Sequence, residues 1–238
     1  MTVPTLEIAA NSLASALAAQ EGGADRVELC ENLGEGGCTP SYGTLALARD
    51  RLRIPLYVLI RPRAGDFVYG EWGREVMLRD IGNCVRLGCD GVVVGALDAN
   101  GGVDAGLCRE LVAAAGRLGV TFHRAFDVAR DPLQALETVA ALGCERVLTS
   151  GGMADAPSGA VNIAAYVRAA GPRLSIMAGA GVAVANIAEL RQTGVREFHA
   201  SAKALRHGAP QRAVPGLSAD WLQSDVETVR RLKQALMA

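Results

Sequence analysis

The feature that most constrains this chain is a short phrase that occurs four times. Gly23-Ala24-Asp25-Arg26-Val27-Glu28-Leu29, Gly88-Cys89-Asp90-Gly91-Val92-Val93-Val94, Gly143-Cys144-Glu145-Arg146-Val147-Leu148-Thr149 and Gly194-Val195-Arg196-Glu197-Phe198-His199-Ala200 share one grammar. Each has a glycine, a small or apolar residue, one or two polar residues, then a β-prone run, and each follows a helix-like stretch. Glycine past a helix end takes the left-handed conformation at no steric cost, so each phrase predicts a helix stopping and a buried strand beginning.

Other β-prone runs fill the gaps, giving eight strands near Leu6, Val27, Tyr57, Val93, Thr121, Val147, Ile176 and Phe198. Helix starts are expected at Asn11 or Ser12, at Thr39-Pro40, at Asp104 and at Asp131-Pro132, where a capping side chain, twice followed by proline, opens a helical pattern. Strict strand–helix alternation argues a parallel sheet with right-handed crossovers. Eight units in 238 residues predict a single α/β domain over residues 1–238, a (β/α)8 TIM barrel with eight parallel strands. An open doubly wound sheet is the alternative. Residues 206–218, with His207, Gly208, Pro210, Pro215 and Gly216, read as a loop. A final helix, capped by Ser218 or Ser224, then carries Val226, Val229, Leu232 and Leu236 at helical spacing.

Composition narrows the function. Hydrophobic residues at 50% against 21% charged supply a core and exclude a disordered chain. A net charge of -1 and 4% aromatics argue against nucleic-acid binding, which needs basic surface or stacking platforms. No apolar run is long enough for a membrane helix, and the N-terminus lacks the basic lead of a signal peptide, so a cytoplasmic protein is expected. The six cysteines are then expected as thiols, and no CxxC pair occurs.

In such a barrel the site lies at the C-terminal ends of the strands. Glu28 alternates with Val27 and Leu29, so its side chain is expected to face the barrel interior, where a charge needs a partner. Arg61 and His123 end nearby strands, with Asp127 following. Glu28, Arg61, His123 and Asp127 therefore form the candidate catalytic set, His123 serving as acid–base group around neutral pH. The bland alternative is an ion-pair network that closes the barrel top. Arg63, Arg124, the Gly179-Ala180-Gly181 turn before a helix expected near Val184, and Ser201 form a candidate anion site, with Gly179 and Gly181 offering backbone N–H groups. Cys30 and Cys38, the two cysteines near the rim, are the candidate Cu(I) ligands, since soft thiolates suit that ion. They meet only if the glycine-rich loop between them folds back; otherwise Cys30 is a buried inert thiol.

Several segments, quoted together, resemble the CutC family. They are Leu6-Glu7-Ile8, the phrase Gly23 to Cys30, Glu35-Gly36-Gly37-Cys38-Thr39-Pro40-Ser41, Ile60-Arg61-Pro62-Arg63-Ala64-Gly65-Asp66-Phe67, Thr121-Phe122-His123-Arg124-Ala125-Phe126-Asp127, Leu148-Thr149-Ser150-Gly151-Gly152 and Met177-Ala178-Gly179-Ala180-Gly181-Val182. The resemblance implies a cytoplasmic (β/α)8 barrel, a homodimer or homotetramer, linked to copper homeostasis, with copper as Cu(I) for cofactor and Cys30 as its natural ligand. It leaves two readings open: a copper-binding homeostasis protein, or a barrel enzyme acting on a small anionic, phosphorylated or sugar-like metabolite.

Overall fold

The computed structural model describes residues 3–209, 212, 214 and 218–238. Eight parallel strands close into a barrel in sequential order: β1 (Thr5–Ala10), β2 (Arg26–Leu29), β3 (Leu56–Leu59), β4 (Gly91–Val94), β5 (Gly119–Phe122), β6 (Arg146–Thr149), β7 (Ser175–Gly179) and β8 (Glu197–Ala200). Closure is made by β8 on β1, with Thr5 opposite Glu197 and Ile8 opposite Ala200. The helices between them are α1 (Leu13–Glu21), α2 (Tyr42–Arg51), α3 (Glu71–Leu87), α4 (Ala105–Ala115), α5 (Pro132–Ala141), α6 (Ala160–Ala170) and α7 (Ile187–Gln192). The open doubly wound sheet is thereby excluded.

The repeated phrase behaves as expected. Gly23, Gly88 and Gly143 have φ of 88°, 69° and 83°. The following N–H reaches back to the preceding helix: Ala24 to Ala19 O at 3.0 Å, Cys89 to Cys84 O at 3.0 Å, Cys144 to Val139 O at 3.4 Å. Ser12, Asp104 and Asp131 cap α1, α4 and α5.

Three local expectations need correction. Thr39 does not cap α2; its hydroxyl accepts from Arg61 N at 2.9 Å and ties the β2–α2 loop to the end of β3, leaving Ser41 as cap. The helix expected near Val184 begins at Ile187, because Asn186 closes a turn by accepting from Ala183 N and donating to Gly181 O. The segment after β8 is not all loop. β9 (Lys203–Arg206) and β10 (Trp221–Ser224) pair antiparallel, while Pro210, Pro215 and Gly216 lie outside the described residues. Asp225 caps the final helix α8 (Val226–Met237). Ser224 is spent on Ser201 O and Ser218 on Asp220 N. Val229, Leu232 and Leu236 are buried, as their spacing predicts.

Alternation along the strands splits the core in two. Leu6, Ile8, Val27, Leu29, Val92, Val94, Phe122, Val147 and Phe198 face the helices in one apolar cluster. The barrel interior is instead largely ionic, where barrels usually stack branched aliphatics. Arg26 bonds to Glu7 and, at 2.7 Å, to Glu197. Arg146 bonds to Glu197 at 2.9 Å and to Thr121 at 3.1 Å. The two guanidinium groups lie 4.9 and 5.1 Å from the ring centroid of Tyr57. That ring fits because β4 and β5 begin with Gly91 and Gly119; a Cβ at either would come within 2.1 Å of Tyr57.

Candidate functional site

Above this ionic layer the strand ends open into a cavity of about 430 Å³. Its floor is Glu28, Cys30 and His199; its walls carry Leu33, Leu59, Phe67 and Leu148; its rim holds Arg61, His123, Arg124, Ser201 and Lys203. Gly36 and the Ala180–Val182 turn complete the edge.

Glu28 and His199 reach the same point from β2 and β8, the two strands that flank β1. His199 Nδ1 donates to Glu7 Oε1 at 2.7 Å and stands 3.4 Å from Glu28 Oε2. Burial would raise the pKa of Glu7, but Arg26 and then His199 outweigh it and hold it at about 2. Burial would strip the proton from His199, yet Glu28 and Glu7 raise its pKa above the ordinary value. Glu28 is left without a cation of its own. Burial first, partly offset by His199, and then the charge of Glu7, push it up to about 7. Glu28 therefore gains and loses a proton near neutrality.

His123 is different from its expected role. Burial and then the charge of Arg61 push its pKa down to about 3, so it is neutral at physiological pH. Its Nδ1 accepts from Ala125 N at 3.1 Å, which places the ring proton on Nε2. It is therefore a fixed hydrogen-bond donor and not a titrating acid–base group. Nor do Arg61 and His123 pair with Glu28. Arg61 gives Nη1 to Glu35 O and Gly37 O and Nη2 to Gly65 O, which fastens the β2–α2 and β3–α3 loops to one guanidinium.

Among the described residues four buried side-chain polar atoms lack a hydrogen-bond partner: Glu28 Oε2, Arg61 Nε, His123 Nε2 and Tyr69 Oη. The first three belong to residues that line the one cavity. Leaving such an atom unpaired costs about 1–3 kcal/mol, and three of the four belong to residues around one cavity, which marks its lining as strongly polar.

The other expected site residues divide. Arg124 and Ser201 line the cavity, as does Gly181. Gly179 does not; it lies in β7, where a Cβ would come within 2.3 Å of Leu148. Arg63 does not line it either, because its guanidinium is spent on Asp66, Ala64 O and Val68 O in an exposed loop. Asp127 holds the β6–α6 loop: it accepts from Ser150 N, Ser150 Oγ, Gly152 N and Thr149 Oγ1, and pairs with Arg124 at 2.7 Å. It orients Arg124 and does not face the cavity. The loop between Cys30 and Cys38 does fold back, through paired backbone bonds between Glu31 and Cys38. Cys30 lines the cavity; Cys38 does not. Burial, with Glu28 next, pushes the Cys30 thiol far above its usual range. His199 and Lys203 are the residues sequence reasoning left out of the site. The signal for His199 is its place in the fourth copy of the repeated phrase, the sixth position, where the inward-facing Glu28 stands in the first copy.

The CutC family model matches residues 4–204. A family protein CutC from Xylella fastidiosa strain 9a5c is 60% identical over 235 residues, covering 97% of this chain and 88% of the relative. One from Chromobacterium violaceum is 52% identical, covering 97% of each. A crystal structure assigned to the copper homeostasis protein CutC of Streptococcus agalactiae superposes with a TM-score of 0.80 at 35% identity, over 83% of this chain and 98% of that one. A barrel closed in this order, matched in sequence over nearly its whole length, makes this chain a member of the CutC family.

Proposed function

We propose that the barrel mouth is the active site of an enzyme for a small anionic metabolite rich in oxygen atoms, phosphorylated or sugar-like, with Glu28 as the group that transfers the proton. The observation that supports this most is that Glu28, Arg61 and His123, each carrying a buried polar atom without a hydrogen-bond partner, all line one cavity. Two of the three are fixed N–H donors, so they ask for acceptor oxygens on the ligand. The third titrates near 7, the range in which a group can both take and return a proton. His199, held toward Glu28 by Glu7, stabilises the carboxylate once it forms. Arg124 and Lys203 give the rim positive charge for an anion, and Ser201 adds a hydroxyl.

The copper reading rests on Cys30, whose side chain lies in the same cavity. The donors there fit Cu(I) poorly: one sulfur, its thiol held protonated by burial, beside carboxylate and imidazole. Copper as cargo would need a second thiolate, and Cys38 does not line this cavity.

A thermal-shift screen of phosphorylated and carboxylated hydroxy-metabolites on the wild-type protein and on His123→Asn, run beside anaerobic Cu(I) titration of wild type and Cys30→Ser, separates the readings. Anions that raise Tm in wild type and less in His123→Asn support the enzyme. Failure of every such anion, together with tight Cu(I) binding lost in Cys30→Ser, overturns it.

A further inference from the structure

At the opposite end of the barrel, two cysteines share a helix-stop motif that elsewhere in this chain holds at most one. Gly88 ends α3 in the left-handed conformation, with its N–H on Val85 O at 3.2 Å and the next N–H, that of Cys89, on Cys84 O at 3.0 Å. This is the double bond pattern of a Schellman stop, whose two flanking side chains, here Cys84 and Cys89, normally touch. At the same two positions two of the other copies of the phrase carry Ala19 with Ala24 and Val139 with Cys144. An apolar pair suffices for the turn, so the fold does not require two thiols.

We propose that Cys84 and Cys89 are a dithiol couple that a peroxide oxidises to a disulfide. Cys89 is the attacking sulfur. Its thiolate displaces hydroxide from the peroxide O–O bond and becomes a sulfenic acid; Cys84 then attacks that sulfur, the S–S bond forms, and water leaves. Two thiols and one hydrogen peroxide give one disulfide and two water molecules in sum, the peroxide being reduced.

The surroundings fit this assignment of roles. The neighbouring Cys84 thiol, and then Arg49, lower the pKa of Cys89 despite its burial, while Cys89 and burial raise that of Cys84. Arg49 is itself anchored on Asp90 and Leu52 O. Asp90 beside Cys89 and Asp80, one turn before Cys84, are the acidic groups around the pair. Both side chains are buried, yet Gly88 and Asp90 on either side of Cys89 are exposed. The pair therefore lies just under the surface, within reach of a molecule as small as a peroxide. The cysteines at 108 and 144 differ in their thiols, which burial raises, although Cys144 also has exposed neighbours in Gly143 and Glu145.

The test is hydrogen peroxide added in equimolar amount to the fully reduced protein, followed by intact mass and by tryptic mapping. The expected product is lighter by about 2 Da. Because Arg86 lies between the two cysteines, it appears as a cross-link between the tryptic peptides that begin at Asp80 and Leu87. Cys89 should react at least about tenfold faster than Cys144, its counterpart in the same motif. Cys84→Ser should lose the cross-link and leave Cys89 as a sulfenic acid that dimedone traps. Cys89→Ser should leave Cys84 a thiol. Oxidation of Cys89 no faster than Cys144, or sulfenic acid without a cross-link in the wild type, overturns the proposal. Cys84→Ala serves as second variant if the serine perturbs the fold.

Discussion

Glu28 on β2 and His199 on β8 come within 3.4 Å of each other although their strands never pair. The strand between them, β1, contributes Glu7, which accepts from His199 Nδ1 at 2.7 Å and leaves Glu28 as the less firmly partnered of the two carboxylates. The mouth of the barrel thus holds one acid whose proton is shared out by geometry.

The first prediction concerns pH. Glu28 is raised from 4.5 to about 7 on folding, so its contribution to stability is fully present below pH 4.5 and is lost as pH rises through 7. The loss is on the order of 3 kcal/mol. Glu28→Gln keeps a neutral group at the position. It should match wild type in urea unfolding at pH 4.5 and exceed it at pH 8. Parallel pH profiles for the two proteins would show that Glu28 does not titrate in this window.

His123 carries the second. As a rim histidine it would tolerate alanine, but it is buried, its ring centroid lies 5.1 Å from that of Phe67, and its Nδ1 caps the short turn at Arg124–Val128. His123→Ala should cost about 2–3 kcal/mol. Asparagine, which can still accept from Ala125 N, should recover at least half. An alanine variant as stable as wild type by urea unfolding would remove the capping role.

Gly95 sets the position of that ring. A Cβ there would lie 2.4 Å from the imidazole. Gly95→Ala should therefore shift His123 and weaken anion binding by about tenfold. Calorimetry with any anion from the screen reads this directly, and unchanged affinity would mean that Nε2 does not touch the ligand.

Two carboxylates test the ionic interior. Glu197 is buried between Arg26 and Arg146, so Glu197→Ala should cost about 3–5 kcal/mol by leaving two buried cations short of a partner. Glu137 pairs with Arg173 in solvent, and Glu137→Ala should lose far less stability than Glu197→Ala. Equal losses in urea unfolding would show that the interior pairs are no stronger than a surface one.

Much of this architecture was legible. The glycine phrase marked four helix-to-strand passages because it encodes a backbone conformation, which local chemistry decides. The inward direction of Glu28 followed from period-two alternation. Its partner did not, since the meeting of β2 and β8 across β1 depends on barrel closure and register, which no local pattern carries. Asp127 and Arg63 were misplaced for a related reason: short loops at strand ends fold onto their own backbone, and a charged side chain there binds N–H or C=O groups nearby before it reaches the cavity. β9 and β10 were missed because Lys203-Ala-Leu-Arg and Trp221-Leu-Gln-Ser are too short and mixed to show alternation, and a glycine- and proline-bearing stretch separates them.

The contact of Arg26 with both Glu7 and Glu197 bears on how the chain reaches its final form. Arg26 belongs to the second strand, Glu197 to the last, and 171 residues separate them. Until the eighth strand docks, a guanidinium and a carboxylate committed to the barrel axis have no full set of partners, and a partial sheet would have to keep them wet. An incomplete barrel is therefore penalised in charge as well as in apolar surface. Closure of the ring is thereby favoured as a single step, and shortened chains that end before Glu197 are expected to forfeit the interior of the whole fold and not merely one strand of it.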